Sequence, residues 1–178
     1  MSQQSPIAAV RDSLNVDRST LRAAVDRVPA ALRMRKPAVD RWSVAEVLEH
    51  LSIVEGRLVM MLGPLLAAAP ANTGAAAGPT EALRTALRNR SNRVSAPDPI
   101  QPTGAVNADE AWAALERTRA ELLVLLDAAE GRDLTQVSRQ HPVLGPLDGY
   151  QWLTSIGGHE ERHAAQIVEI ADALSSRA

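Results

Sequence analysis

Cysteine is absent from the 178 residues. That excludes a disulfide framework, a zinc–thiolate centre and a cysteine nucleophile. Aromatic side chains are nearly as scarce: Trp42, Trp112, Trp152 and Tyr150, with no phenylalanine. Single-stranded nucleic acid is held by bases stacked on aromatic rings, and four scattered rings make no such platform. A duplex-binding surface needs a basic excess. Here 19 Lys plus Arg face 21 Asp plus Glu, a net charge of −2, so no nucleic-acid partner is expected.

Long apolar runs are missing too. Leu58 to Thr80 carries no charge, but Gly63 and Pro64 interrupt its apolar part after a few residues. A spanning helix wants about 20 continuous apolar residues, so no membrane partner is expected. The start, Met1-Ser2-Gln3-Gln4-Ser5-Pro6, lacks a basic stretch followed by an apolar core, and no secretory signal is read there. The expectation is a soluble cytoplasmic protein. There is no convincing strand run and no internal repeat.

What is present is helical. A chain of this length is normally one domain and buries roughly 70% of the surface its unfolded form exposes. A single domain over 1–178 is expected, with its core at about 5–175. Ile7, Val10, Leu14, Leu21 and Val25 fall near helical spacing from about Pro6 to Arg27, before Pro29. Ser43 with Glu46 three residues on forms a capping box, with Trp42 outside it as a candidate staple. The helix it opens continues through Val47, Leu51, Val54, Leu58 and Met61, with Pro64 as a candidate kink.

The stretch from Pro70 to Asn107 is rich in Pro, Gly, Ala and Asn, apart from a short amphipathic piece near Thr80 to Arg90. Connections this long often form lids or walls of a site. A third helix is read from about Ala108 to Ala129, ending at Gly131. A fourth is read from Asp148 to about Leu174, after the loop His141-Pro142-Val143-Leu144-Gly145-Pro146-Leu147. Four amphipathic helices with long connecting loops make an all-α four-helix bundle.

The candidate chemistry lies in the histidines. On the fourth helix Trp152, Ile156, His159, His163, Gln166, Ile170 and Ala173 share one stripe, which places both histidines toward the core. Histidines four apart have Cβ atoms about 6 Å apart and can bind one ion. His50 lines up with Val47, Val54 and Met61 on the second helix, inward or at its edge. Three protein ligands with open positions are the usual layout of a catalytic zinc site, and bundles carry metals between facing helices. The competing reading of each histidine is a hydrogen-bonded core residue, although two buried imidazoles on one apolar stripe are hard to satisfy.

His159-Glu160-Glu161-Arg162-His163 also fits His-Glu-x-x-His, in which Glu160 would be the general base of a metalloprotease. Only 15 residues follow His163, with Glu169 and Asp172 as poor further ligands. Off the stripe, Glu160 is expected to be solvated.

Three segments carry a resemblance to a known family. Arg41-Trp42-Ser43-Val44-Ala45-Glu46 leads to His50-Leu51; the loop His141 to Leu147 follows; then come His159-Glu160-Glu161-Arg162-His163 and Gln166-Ile167. In order, spacing and helices the chain resembles the DinB-like superfamily of metal-dependent enzymes, which includes YfiT-type proteins and bacterial thiol transferases. The resemblance covers about residues 5 to 175. It implies a four-helix bundle with one divalent metal, often nickel or zinc, with manganese or iron as further candidates. The ligands would be His50, His159 and His163.

Characterised relatives add a low-molecular-weight thiol to electrophiles or use one for isomerisation. The resemblance therefore implies a small-molecule substrate and a thiol cosubstrate, which a chain without cysteine would need. A metal-dependent hydrolase and a non-catalytic metal-binding stress or interaction module are the alternatives.

The remaining candidates each have two readings. Glu46 is a capping residue or a support for the ligands. Gln166 supports His163 or is an amide at the core edge. His141 is a proton carrier, a fourth ligand or a solvated loop histidine. Arg27, Arg33, Arg35, Lys36 and Arg41 could draw an anionic cosubstrate or simply face solvent. Leu122 to Leu126 could pack a second subunit in a homodimer.

Overall fold

The computed structural model describes residues 4–74, 81–91 and 96–176. Thr80, at the start of the expected amphipathic piece, lies outside the described residues. Four long helices form the body: α1 (Pro6–Asp26), α2 (Val44–Ala67), α4 (Ala108–Ala128) and α5 (Gly149–Ser175), with the short α3 (Glu81–Arg88) in the crossover. Each long helix is started by a side chain that satisfies orphan N–H groups. Ser5 accepts from Ala8, and the pairs Ser43/Glu46, Asn107/Glu110 and Asp148/Gln151 all close reciprocal capping boxes. α2 runs through Pro64 to Ala67 as one helix.

α1 lies along α5 and α2 along α4. One apolar cluster gathers the end of α1 (Leu21, Val25), the start of α2 (Val47, Leu51), the start of α4 (Ala111, Leu115) and the end of α5 (Ile167, Ile170). A second gathers the opposite ends: Val10 and Leu14, Leu62 and Leu66, Leu122 and Leu126, Leu153 and Ile156. The helices therefore run up, down, down, up. The neighbours α2 and α4 are parallel, which is why a long crossover joins them.

The two clusters are separated by charge. Arg18 on α1, Glu55 on α2, Arg119 on α4 and Glu160 on α5 lie between the clusters on their helices, and all four side chains are largely buried. Arg119 donates to Glu55 (2.8 Å) and Glu160 (3.0 Å), and Arg18 donates to the other oxygens of the same two carboxylates, at 2.9 and 2.8 Å. The expectation that Glu160 is solvated is corrected here: the residue is 1% exposed. A single stripe assumes one covered face, but α5 is covered by α1, α2 and α3 together.

The segment read as a plain loop before α5 is a hairpin, a second correction. β1 (Ser138–His141) pairs antiparallel with β2 (Gly145–Asp148), with His141 opposite Gly145. Gly145 takes φ +82°, a left-handed conformation that only glycine adopts cheaply. Four-residue strands containing Pro146 are too short to show an alternating pattern.

Candidate metal centre

The site forms where the start of α2 meets the middle of α5. The Ser43–Glu46 box fixes where α2 begins: Glu46 N donates to Ser43 Oγ (3.2 Å) and Ser43 N to Glu46 Oε2 (2.8 Å). Four residues beyond Glu46 that start places His50 inside the bundle. His159 and His163, one turn apart on α5, face it. The three imidazoles offer nitrogens that all lie within 4.8 Å of one another. His159 Nε2 stands 3.1 Å from His163 Nε2 and 3.4 Å from His50 Nε2. Ligands about 2.1 Å from one ion stand roughly 3.0 Å apart in octahedral and 3.4 Å apart in tetrahedral geometry. The observed spacing fits both.

The other ring nitrogens decide which tautomer faces inward. His50 Nδ1 is 2.6 Å from the carbonyl oxygen of Ile100, and His163 Nδ1 is 2.8 Å from Gln166 Oε1. A carbonyl oxygen can only accept, so each Nδ1 carries its proton and each Nε2 is left with a bare lone pair. His159 Nε2 lies between them and can give a proton to one at most. A divalent cation satisfies all three lone pairs at once, which is the chemical reason the donor set fits a metal.

Ile100 reaches His50 because the crossover is tied down beside it. Glu49 accepts from Thr103 N (3.0 Å), Thr103 Oγ1 (2.6 Å) and Gly104 N (3.1 Å). Gly104 sits at φ +73°, and a Cβ there would lie 3.3 Å from Glu46 Oε1.

Burial holds the three imidazoles neutral. His159 is pushed down to about 3, first by desolvation and then by the charges of His50, Arg162 and His141. Desolvation and its two histidine neighbours hold His163 well below its ordinary value. Desolvation lowers His50 also, opposed by its bond to Ile100. At neutral pH the lone pairs are free for an ion. Trp42 covers the group, with its ring centroid 5.0 Å from His50 and 6.5 Å from His163. Its position next to the Ser43 cap predicts only a helix staple.

Gln166 sits where a support for His163 belongs. Glu46 does not support the ligands: its carboxylate holds Ser43 N and Lys36 Nζ (2.8 Å). Burial works against its charge, yet Lys36 and Ser43 together bring its pKa below the ordinary value.

His141 is on β1, with its ring 5.0 Å from that of Trp152. Its Nδ1 accepts from Val143 N and Leu144 N, both at 3.1 Å, which places its own proton on Nε2. Burial also lowers its pKa. It is therefore arranged to donate a hydrogen bond, and ligating a metal would cost it the two backbone contacts.

Three of the five cations between Arg27 and Arg41 have acidic partners: Arg27 with Asp172, Arg33 with Asp26 and Lys36 with Glu46. Leu122 and Leu126 are fully buried in the chain's own core, whereas Val124 between them is 66% exposed. Sequence reading missed Ile100, whose contribution is a carbonyl and carries no side-chain signal. It also missed Glu49 and the charged layer, whose members look like ordinary surface residues on each helix.

Comparison with known proteins bears on this geometry. The model of the DinB superfamily matches residues 13–167. The chain is 28% identical over 141 residues to an uncharacterized protein, YuaE, of Bacillus subtilis (strain 168), an alignment spanning 79% of this chain and 83% of that one. Among solved structures it is similar to TT2238, a four-helix bundle protein, with a TM-score of 0.55 and 21% identity, covering 89% of this chain and 94% of the other. That likeness supports the bundle fold.

Proposed function

The chain belongs to the DinB superfamily, and from that premise we propose that it is a metal-dependent enzyme, a low-molecular-weight-thiol S-transferase acting on electrophilic small molecules. One observation carries the reading: three Nε2 atoms converge while two of the rings have Nδ1 committed elsewhere. Hydrogen bonding inside the cluster meets only one of the bare lone pairs of His50 and His163, because His159 Nε2 carries at most one proton.

An all-imidazole donor set suits nickel or zinc, and iron less well without a carboxylate; manganese prefers oxygen ligands. Bound there, the ion would supply a Lewis acid that holds a coordinating thiol as thiolate, the nucleophilic form. The chain's own residues do the rest. Ile100 and Gln166 orient two ligand rings, Trp42 shields the group from water, and His141 presents an N–H beside Trp152. With no cysteine in the chain, the reacting sulfur comes from the cosubstrate. In this reading the protein works in the cytoplasm.

The test begins with metal content by mass spectrometry on tag-free protein beside a His159→Ala/His163→Ala double variant. Near-stoichiometric nickel or zinc, lost in the variant, is expected. Loaded protein should then consume an alkyl halide or epoxide only when a small thiol is added. No ion, even after reconstitution with nickel, zinc and manganese, would sink the enzyme reading. Turnover that ignores the thiol would move the protein to the hydrolases.

A further inference from the structure

Glu160 occupies the second position of the His-Glu-x-x-His motif, where a protease keeps its general base. Here neither carboxylate oxygen is available for that role. Arg18 Nε on α1 holds Oε1 at 2.8 Å and Arg119 Nη2 on α4 holds Oε2 at 3.0 Å. We propose that Glu160 is a positioning residue: through the ring it closes with Arg18, Glu55 and Arg119, it fixes the rotation of α5 so that His159 and His163 aim at His50. The proposal rests on the metal-site reading above.

Three observations support it. First, Glu160 follows His159 directly and precedes His163 by three residues. On a rigid helix the direction of one side chain sets those of its neighbours. Second, α2 and α5 pack mainly against α4 and α1 rather than against each other. The alignment of His50 with the α5 histidines is therefore inherited through other helices. Glu55, five residues past His50 on α2, is bound by the same two arginines that bind Glu160. The ring thus ties both histidine-bearing helices to the same two arginines.

Third, apolar packing is non-directional, whereas charge-assisted hydrogen bonds demand particular distances and angles. The clusters above and below the ring tolerate small rotations of α5 that the ring resists. Buried ion pairs contribute little net stability compared with apolar residues of similar volume. A role in specifying geometry accounts for four buried charges where leucines would suffice.

The experiment compares wild type, Glu160→Gln and an Arg119→Met/Glu160→Met double variant. The double variant keeps the Arg18 Nη2–Glu55 Oε2 pair and the charge balance of the layer, with one hydrogen bond lost at each of Arg18 and Glu55, so a folded protein is available even if Glu160→Gln is not. Nickel and zinc affinities are measured by competition, and the cobalt(II) derivative reports ligand geometry through its visible bands. Imidazole 15N shifts of the metal-free proteins report where His50, His159 and His163 stand without any ion.

The expected result is about a 10- to 100-fold loss of affinity in the double variant, the usual size of an effect from behind the ligands. Altered cobalt bands and shifted His163 and His159 resonances should accompany it, with native helicity retained. Affinity within twofold of wild type, with unchanged bands and shifts, would overturn the proposal and leave the ring a stability element only. If wild type itself binds no ion, the metal reading fails, and the 15N shifts still decide whether the ring positions the histidines.

Discussion

In the charged layer, Arg18 and Arg119 meet Glu55 and Glu160, two positive groups against two negative, and every carboxylate oxygen is bound by an arginine. In the histidine layer, His50, His159 and His163 bring three nitrogens of the same kind to one point. Both are polar and lie inside the bundle, with His159 half-buried, and both join α2 to α5. The first is balanced in charge, and the arginine N–H groups that the two carboxylates leave over donate to Leu14 O, Leu115 O and Glu116, so the protein itself satisfies it. In the second, His50 and His163 donate through Nδ1 to Ile100 O and Gln166 Oε1 and present bare Nε2 lone pairs. His159 Nε2 can donate to only one of them, and a cation from outside would complete the set. Self-sufficiency marks a structural cluster, and an excess of one kind of group marks a binding site.

The comparison breaks most visibly at Arg119. Arg119→Met should leave Glu55 and Glu160 short of a partner and cost about 3–5 kcal/mol in urea unfolding. Arg119→Met/Glu160→Met should recover most of that. A single-variant cost below about 1 kcal/mol would show that the ring is not tightly closed. The histidine layer should behave in the opposite way, gaining from addition rather than losing by subtraction. Nickel or zinc at 100 times its Kd should stabilise wild type by about 2.7 kcal/mol and leave His50→Ala/His163→Ala unmoved in thermal unfolding.

Gly157 tests the contact beside the site. A Cβ there would lie 2.0 Å from Asp17 Oδ2, and Asp17 is itself clamped by Arg84. Gly157→Ala should cost about 1–3 kcal/mol through overpacking, whereas Gly56→Ala, whose Cβ would meet only Thr118 at 3.4 Å, should cost far less.

Acid should separate the layers by sign. The histidines have folded pKa values below their unfolded value of 6.5. Their contribution is full above 6.5 and is lost as pH falls from there toward about 3 for His159, at up to about 1.4 kcal/mol per pH unit for each histidine titrating. Burial raises Glu55 above 4.5 despite Arg119. The folded state therefore binds its proton first, and stability contributed by Glu55 rises as pH falls through its folded value. Metal-free wild type should lose stability from pH 7 to pH 5, and His159→Gln should flatten that slope. A slope unchanged by His159→Gln would refute the assignment.

Much of the site was legible in the chain because it follows helical periodicity. His159 and His163 recur at a one-turn spacing among Trp152, Ile156 and Ile170. The Ser43–Glu46 box announces where α2 starts and hence where His50 falls. Glu160 was not legible, because a stripe assumes one buried face and α5 is covered on several. The hairpin was not legible either, since four residues per strand give too few alternations to count.

The helices, their caps and the inward-facing histidines follow from local sequence, since all of these depend on neighbours a few residues away. Which charges meet is settled by how the helices pack: Arg18, Glu55, Arg119 and Glu160 span 143 positions of the chain. Tertiary structure also sets the tautomer of His50, through a carbonyl fifty residues away at Ile100. Hydrogen bonds are short and directional, so partners distant in sequence are chosen by how the helices pack and not by local pattern.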